Sequence, residues 1–226
     1  MKKKKYSHRV MLIVLGVFLF ISIIVIIMSQ QPSILSQSRA YAGIDNETLN
    51  QDAIKEPNIT IFGSQVFEDK IEAAFELLNR CAPEDLAAAD KFITGIYEDS
   101  NGSYSGAQIP FNSTNILLTS NFTKYLPSNY SSQAQIFWYA GAIVHEARHA
   151  WQFLQPGFVK NWSSRTPEET NAVEIDAINA QIATFKKCVD YIPVQNKDEA
   201  ETILLKFTEL KDKMQELKFS PDGTLI

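Results

Sequence analysis

Ser132-Gln133-Ala134-Gln135-Ile136-Phe137-Trp138-Tyr139-Ala140-Gly141-Ala142-Ile143-Val144-His145-Glu146-Ala147-Arg148-His149-Ala150-Trp151-Gln152 is the stretch from which the rest of the chain is read. Ser132 followed three residues later by Gln135 has the form of a capping box, and the run continues to Gln155, where Pro156-Gly157 ends it. The expectation is one long helix. Ile136 to Val144 carries no charge, so this helix is expected inside the protein rather than on a wet face.

At its centre stands His145-Glu146-Ala147-Arg148-His149. Residues four apart on a helix differ by roughly 40° of rotation and about 6 Å of rise, so both imidazoles can face one metal ion. Glu146 is turned about 100° away, which suits it to a water beside the ion rather than to the ion itself. Such a group is equipped for metal-assisted hydrolysis, in which the ion acidifies a water and the carboxylate takes its proton. The chain has three histidines, and with His8 in the basic amino-terminal tail, everything downstream spends both of its histidines on this motif. A pair of histidines on a solvated helix face is the plain alternative, and the apolar run before the motif argues against it.

A tetrahedral site needs a third protein ligand, and without another His it must come from a carboxylate or a Cys. The Gly and His that would follow at three and six residues in a metzincin are replaced by Gln152 and Gln155. Downstream, Thr166-Pro167-Glu168-Glu169 opens a second helix, with Thr166 as N-cap, Pro167 in the first position and Glu169 closing a capping box. Glu174 lies further in, near Ala177 and Ala180, which permit close packing against the histidine helix. Glu169 and Glu174 are both candidates.

The stretch from Gln133 to Gln181, less than a quarter of the chain, resembles the gluzincin branch of the zincin metallopeptidases: H-E-x-x-H, then an acidic residue on a second helix. His145 to Gln152, reading H-E-A-R-H-A-W-Q, is similar to the H-E-x-x-H-x-x-Q form of small zincin-like domains. The resemblance implies a zincin-like α+β fold, a Zn2+ ion held by His145, His149 and Glu174, Glu146 as general base, and a peptide or protein substrate. Two positions depart from the pattern. Where such proteins often carry Asp or Asn four residues after the ligand Glu to orient a histidine, this chain has Ile178, leaving Asn171 or Gln181 to substitute. Arg148 brings a cation into the motif, to be spent on the surface or on a substrate carboxylate.

Other elements read as support. Gln65 to Arg80 sets Ile71, Ala74, Phe75 and Leu78 on one helical stripe, and Pro83-Glu84-Asp85 opens a short helix. Phe92 to Tyr97 and Asn115 to Thr119 read as strands of a small sheet, one of them serving as the edge on which an extended peptide could pair. Tyr97, Tyr104, Tyr130, Tyr139 and Arg165 are available to face a developing oxyanion, and nothing in the sequence selects among them. Lys197 to Lys218 is a final helix, with Ile203, Leu204, Phe207, Leu210, Met214 and Leu217 on one stripe for packing or a short dimer face.

The amino-terminal quarter differs. Val10 to Met28 is uncharged and long enough to cross a bilayer, preceded by Lys2, Lys3, Lys4, Lys5 and Arg9. That asymmetry predicts a signal-anchor: a cytoplasmic tail over 1–9, a transmembrane helix over 10–29, a polar stalk over 30–57 and an extracytoplasmic domain over 58–226. A cleaved signal peptide is the competing reading, with Ala40-Tyr41-Ala42 as its site. Seven Asn-x-Ser/Thr triplets begin at Asn46, Asn58, Asn101, Asn112, Asn121, Asn129 and Asn161, where roughly two would arise by chance, so the exterior is expected to be a glycoprotein. Cys81 and Cys188 can form one disulfide there. With the basic tail set aside, acidic residues outnumber basic ones, which excludes nucleic-acid binding through phosphate neutralisation.

The expectation is a membrane-anchored, mostly helical α+β zinc peptidase. Its rival is a zincin-like module for binding or adhesion, in which a metal joins two helices without turnover.

Overall fold

The computed structural model describes residues 57–100, 106–120, 130–158 and 165–217. The tail, anchor and most of the stalk lie outside the described residues, as do Tyr104 and the triplets at Asn46, Asn101, Asn121, Asn129 and Asn161. No helix among the described residues is long and apolar enough to cross a membrane.

The chain is mostly helical with a small mixed sheet, an α+β arrangement. Its elements are β1 (Thr60–Phe62), α1 (Gln65–Cys81), α2 (Pro83–Phe92), β2 (Gly95–Asp99), β3 (Ala107–Gln108), β4 (Asn115–Thr119), α3 (Ser132–Phe153), α4 (Pro167–Cys188) and α5 (Lys197–Glu216). Strand order is β1-β2-β4-β3, with β1, β2 and β4 parallel and β3 antiparallel to β4. Alternation puts Ile96, Ile116 and Leu118 into the core, while Tyr97 stacks on Phe62 with ring centroids 4.4 Å apart. The parallel return from β1 to β2 requires a crossover, which α1 and α2 supply. The expected stripe of α1 is buried as Ile71, Ala74, Phe75 and Leu78.

Three boundaries depart from the sequence reading. Phe92 ends α2 instead of opening a strand, and the chain turns extended only at Ile93. β2 and β4 are the inner strands, their backbone groups paired on both sides, so the free edges belong to β1 and β3. The N-cap of α3 is Ser131, not Ser132: the Ser131 hydroxyl accepts from the Ala134 N–H at 3.2 Å and donates to Glu199 on α5. Gln135 is therefore one residue too far along to close a capping box. Its amide instead donates to the Tyr130 carbonyl and accepts from Lys70.

α3 is the axis of the domain. From Ile136 to Phe153 every residue is buried, which explains its lack of an amphipathic pattern: it is packed all round. It ends in a turn where Gly157 takes φ 82°, a left-handed conformation that glycine adopts without steric cost. α4 begins as expected, with Thr166 Oγ1 accepting from the Glu169 N–H at 3.1 Å and the Glu169 carboxylate accepting from the Thr166 N–H at 2.9 Å. Cys81 and Cys188 are bonded, tying the last residue of α1 to the last of α4. On α5 only Ala200 and Ile203 are fully buried. Leu204 and Phe207 pack partly against the core, whereas Leu210 is exposed, so the expected stripe is covered over the first half of the helix. Asn58 and Asn112, the two triplet asparagines among the described residues, are both exposed.

Candidate metal centre

α3 and α4 bring three ligand atoms together. His145 Nε2 and His149 Nε2 are 3.0 Å apart, and the Glu174 carboxylate places Oε1 3.2 Å from the first and Oε2 3.2 Å from the second. Ligands bound at about 2.0–2.1 Å to a tetrahedral zinc stand about 3.3 Å from one another. The three observed separations match that edge, and two ring nitrogens facing each other so closely are explained when both aim lone pairs at one cation. The donor set, two imidazoles and a carboxylate, suits zinc. Among the described residues no other group of three or more His, Cys, Asp or Glu could hold an ion.

The helices determine this convergence. His145 and His149 share a face of α3 by their spacing, and Glu174 lies on the part of α4 that packs there. Glu169 does not take part, because its carboxylate closes the cap of α4. The side chains of His145, His149 and Glu174 are 11%, 9% and 11% exposed, so the cluster reaches solvent at one side without lying on the surface.

Burial and charge oppose each other here. Burial disfavours ionisation of Glu174, but the charges and hydrogen bonds of His145 and His149 outweigh it and hold the carboxyl well below the usual carboxylate range. Burial likewise works against a charged His149, yet the hydrogen bond and charge of Glu174 dominate and raise the ring to about 9. Glu146 behaves differently. It is buried beside the three ligands without belonging to the cluster, and burial pushes its pKa up despite the attraction of His145 and His149. The backbone amide of Ile109, just after β3, makes a smaller contribution that favours its charged form. A carboxyl with raised proton affinity next to a cation site is a proton acceptor in waiting.

A second layer lies behind His149. Its Nδ1 is 2.8 Å from Gln152 Oε1, while Gln152 Nε2 donates to Asp176 Oδ2 at 2.8 Å and to the Val173 carbonyl at 3.3 Å. Asp176 also receives Arg148, with Nε to Oδ2 at 2.6 Å and Nη2 to Oδ1 at 2.9 Å. Arg148 is thus buried and paired, its guanidinium 4.0 Å from the Trp151 ring, and both sequence expectations for it are corrected. Asn171 and Gln181 do not orient a histidine either: Asn171 Nδ2 donates to the Met214 carbonyl on α5, and Gln181 packs where α4 passes Gly141. Asp176 is the residue that sequence reasoning missed. Gln152 carried a signal, since it stands three residues after His149 and so on the same face.

Four of the oxyanion candidates are among the described residues. The Tyr139 hydroxyl donates to the Thr119 carbonyl at 2.9 Å in the core, Tyr97 stacks on Phe62, Tyr130 lies under Lys206, and Arg165 lies over the Phe158 ring. In comparisons with known proteins the chain matches no family model, no curated protein and no solved structure.

Proposed function

We propose that this chain is a membrane-anchored, extracytoplasmic metallopeptidase of gluzincin type, in which His145, His149 and Glu174 hold zinc and Glu146 is the general base. The observation that carries this reading is the convergence of three ligand atoms at tetrahedral spacing, with a buried, proton-avid carboxyl beside them. A structural zinc site is closed by four protein ligands, whereas a catalytic one keeps a position open. Three ligands and partial exposure of each favour the open kind.

When bound, zinc supplies Lewis acidity towards a peptide carbonyl and brings the pKa of water towards neutrality. The residues supply the rest. Glu174 stays ionised under its two imidazole partners and contributes the negative charge that retains a dication. Glu146 accepts the proton of the attacking water on its carboxylate and returns it to the leaving amine nitrogen. β3 ends one residue before Ile109 and has a free edge, so an extended peptide pairing there would run close to Glu146. The signal-anchor and the seven Asn-x-Ser/Thr triplets support placement outside the cytoplasm.

The test is Glu146→Gln in the zinc-loaded chain, assayed on a peptide library. Zinc content unchanged with hydrolysis lowered by about 10²–10⁴-fold is the expected result. If the wild-type chain binds zinc but cleaves nothing, and Glu146→Gln is indistinguishable from it, the metal-stabilised binding module replaces the peptidase.

A further inference from the structure

Gln152, buried completely between α3 and α4, is placed so that only one orientation of its amide satisfies its neighbours. On one side stand two acceptors, the Val173 carbonyl oxygen and Asp176 Oδ2, at 3.3 and 2.8 Å. Neither can donate, so the Gln152 atom facing them is the NH2 group and the other atom is the carbonyl oxygen. That oxygen is the one 2.8 Å from His149 Nδ1. An oxygen acceptor there requires His149 to carry a proton on Nδ1, so that in the neutral, metal-binding ring the lone pair falls on Nε2, the atom that faces His145 and Glu174. Asp176 is in turn held by both Arg148 contacts, at 2.6 and 2.9 Å, and its side chain is largely buried.

We infer that Arg148, Asp176 and Gln152 form a positioning relay that locks His149 in its metal-binding tautomer, doing the work that a carboxylate four residues after Glu174 would do had Ile178 not stood there. This rests on the metal-centre reading and adds to it the three residues that govern zinc affinity without touching the ion. Arg148 fixes the Asp176 carboxylate through two hydrogen bonds, and carboxylate oxygens accept. Asp176 then dictates which end of Gln152 it faces, and Gln152 dictates the His149 ring. His145 has no such support: its Nδ1 is buried and without a hydrogen-bond partner among the described residues. The relay therefore acts on one ligand of the three.

The relay separates from ordinary packing through Asp176→Asn, which is nearly isosteric. With Asn at 176 the constraint on Gln152 rests on the longer Val173 contact alone, because the new amide can offer an N–H to Gln152. The Gln152 amide can then turn and present its own N–H to Nδ1, which favours the tautomer with a proton on Nε2. Metal-ligand partners of this kind contribute about 10–100-fold in affinity.

The experiment uses the purified full-length chain and its Asp176→Asn and Gln152→Leu variants. Zn2+ affinity is measured by competition with a chromophoric chelator, and Co2+-loaded samples are compared by visible absorption. Expected are a 10–100-fold loss of Zn2+ affinity in Asp176→Asn and Gln152→Leu, with an altered Co2+ spectrum. Metal-free melting temperatures identify any variant that has lost its fold, and Asp176→Asn, the mildest in shape, carries the decision. Wild-type affinity and spectrum in a folded Asp176→Asn together with Gln152→Leu would overturn the relay while leaving the metal centre standing. Failure of the wild-type chain to bind Zn2+ or Co2+ would overturn the metal centre itself.

Discussion

A Cβ built on Gly141 would fall 2.2 Å from Phe185 Cε1 and 2.3 Å from its Cζ, so α3 and α4 meet through a residue that has no side chain. Gly141 is one turn before His145, and Phe185 is three turns beyond Glu174. This contact sets the separation of the two helices whose facing sides carry the ligands.

Gly141→Ala should accordingly destabilise the protein although alanine is the better helix former. The propensity gain is about 1 kcal/mol, while forcing a methyl group into a packed core costs about 1–3 kcal/mol. The Phe185 ring cannot yield easily, being stacked on Phe137 at 4.6 Å and bounded by Phe207 at 5.4 Å. A lower melting temperature and weaker Zn2+ binding are expected together, because splaying the helices draws Glu174 from the histidines. Calorimetry and a zinc titration measure both, and an Ala variant as stable as the wild type would show that the helices are not held at this point.

The two glutamates of α4 should separate cleanly. Glu174→Ala removes the carboxylate that faces both imidazoles and should abolish stoichiometric Zn2+ binding. Glu169→Ala removes half of the capping box and should cost on the order of 1 kcal/mol with zinc content unchanged. Stripping zinc with a chelator should lower the wild-type melting temperature, since an ion present at 100 times its dissociation constant stabilises by about 2.7 kcal/mol, and should leave Glu174→Ala unmoved. Zinc lost from Glu169→Ala and kept by Glu174→Ala would reverse the assignment.

What could be read from the chain was what local spacing decides. Pro156-Gly157 marked the end of α3, Thr166 with Glu169 marked the start of α4, and His145 with His149 followed from helical geometry. The third ligand could be narrowed to Glu169 and Glu174, of which Glu169 already had a local task in the cap of α4. What stayed hidden depends on partners distant in sequence. Ser131 and Ser132 are equivalent caps until Glu199 of α5 meets one of them. β1 and β3, three and two residues long, have no periodicity of their own and exist as strands only through pairing with β2 and β4. Arg148 read as a loose cation because Asp176, its partner, lies on another helix.

The disulfide should matter more to stability than to the site. Cys81 and Cys188 close a loop with a sequence separation of 107, and holding those ends together in the unfolded chain is worth about 4–5 kcal/mol by loop entropy. Cys188 is fully buried and Cys81 partly so, which leaves a reductant only the Cys81 sulfur to attack in the folded protein. Replacing both cysteines with alanine should lower the denaturation midpoint markedly while Zn2+ binding, tested below the new midpoint, persists. Alkylation with mass measurement, before and after reduction under denaturing conditions, checks the bond directly. Two thiols reactive without reduction would mean that the ends of α1 and α4 are not joined.

The anchorage of α2 to α4 should be sensitive to pH at both extremes. Lys187 Nζ lies 2.6 Å from Glu84 and 3.0 Å from Asp85, and Asp85 also accepts from Thr184 at 2.8 Å. Burial opposes the charge on Glu84, but the Lys187 bond, helped by the Glu84 backbone amide, lowers its pKa. Burial opposes the charge on Lys187 too, and its bonds to both carboxylates raise its pKa. A lowered carboxyl contributes stability above its unfolded pKa and loses it as the pH falls through the folded value. A raised ammonium contributes below its unfolded pKa and loses it as the pH rises through the folded value. Lys187→Met should therefore cost most between those limits, about 0.5–1 kcal/mol given the partial exposure of Lys187 and Glu84. The difference from the wild type should shrink in acid, as Glu84 takes up its proton. Urea titrations from pH 3 to pH 8 test this, and a difference that stays constant across the range would show that Lys187 supports α2 through its aliphatic stem rather than its charge.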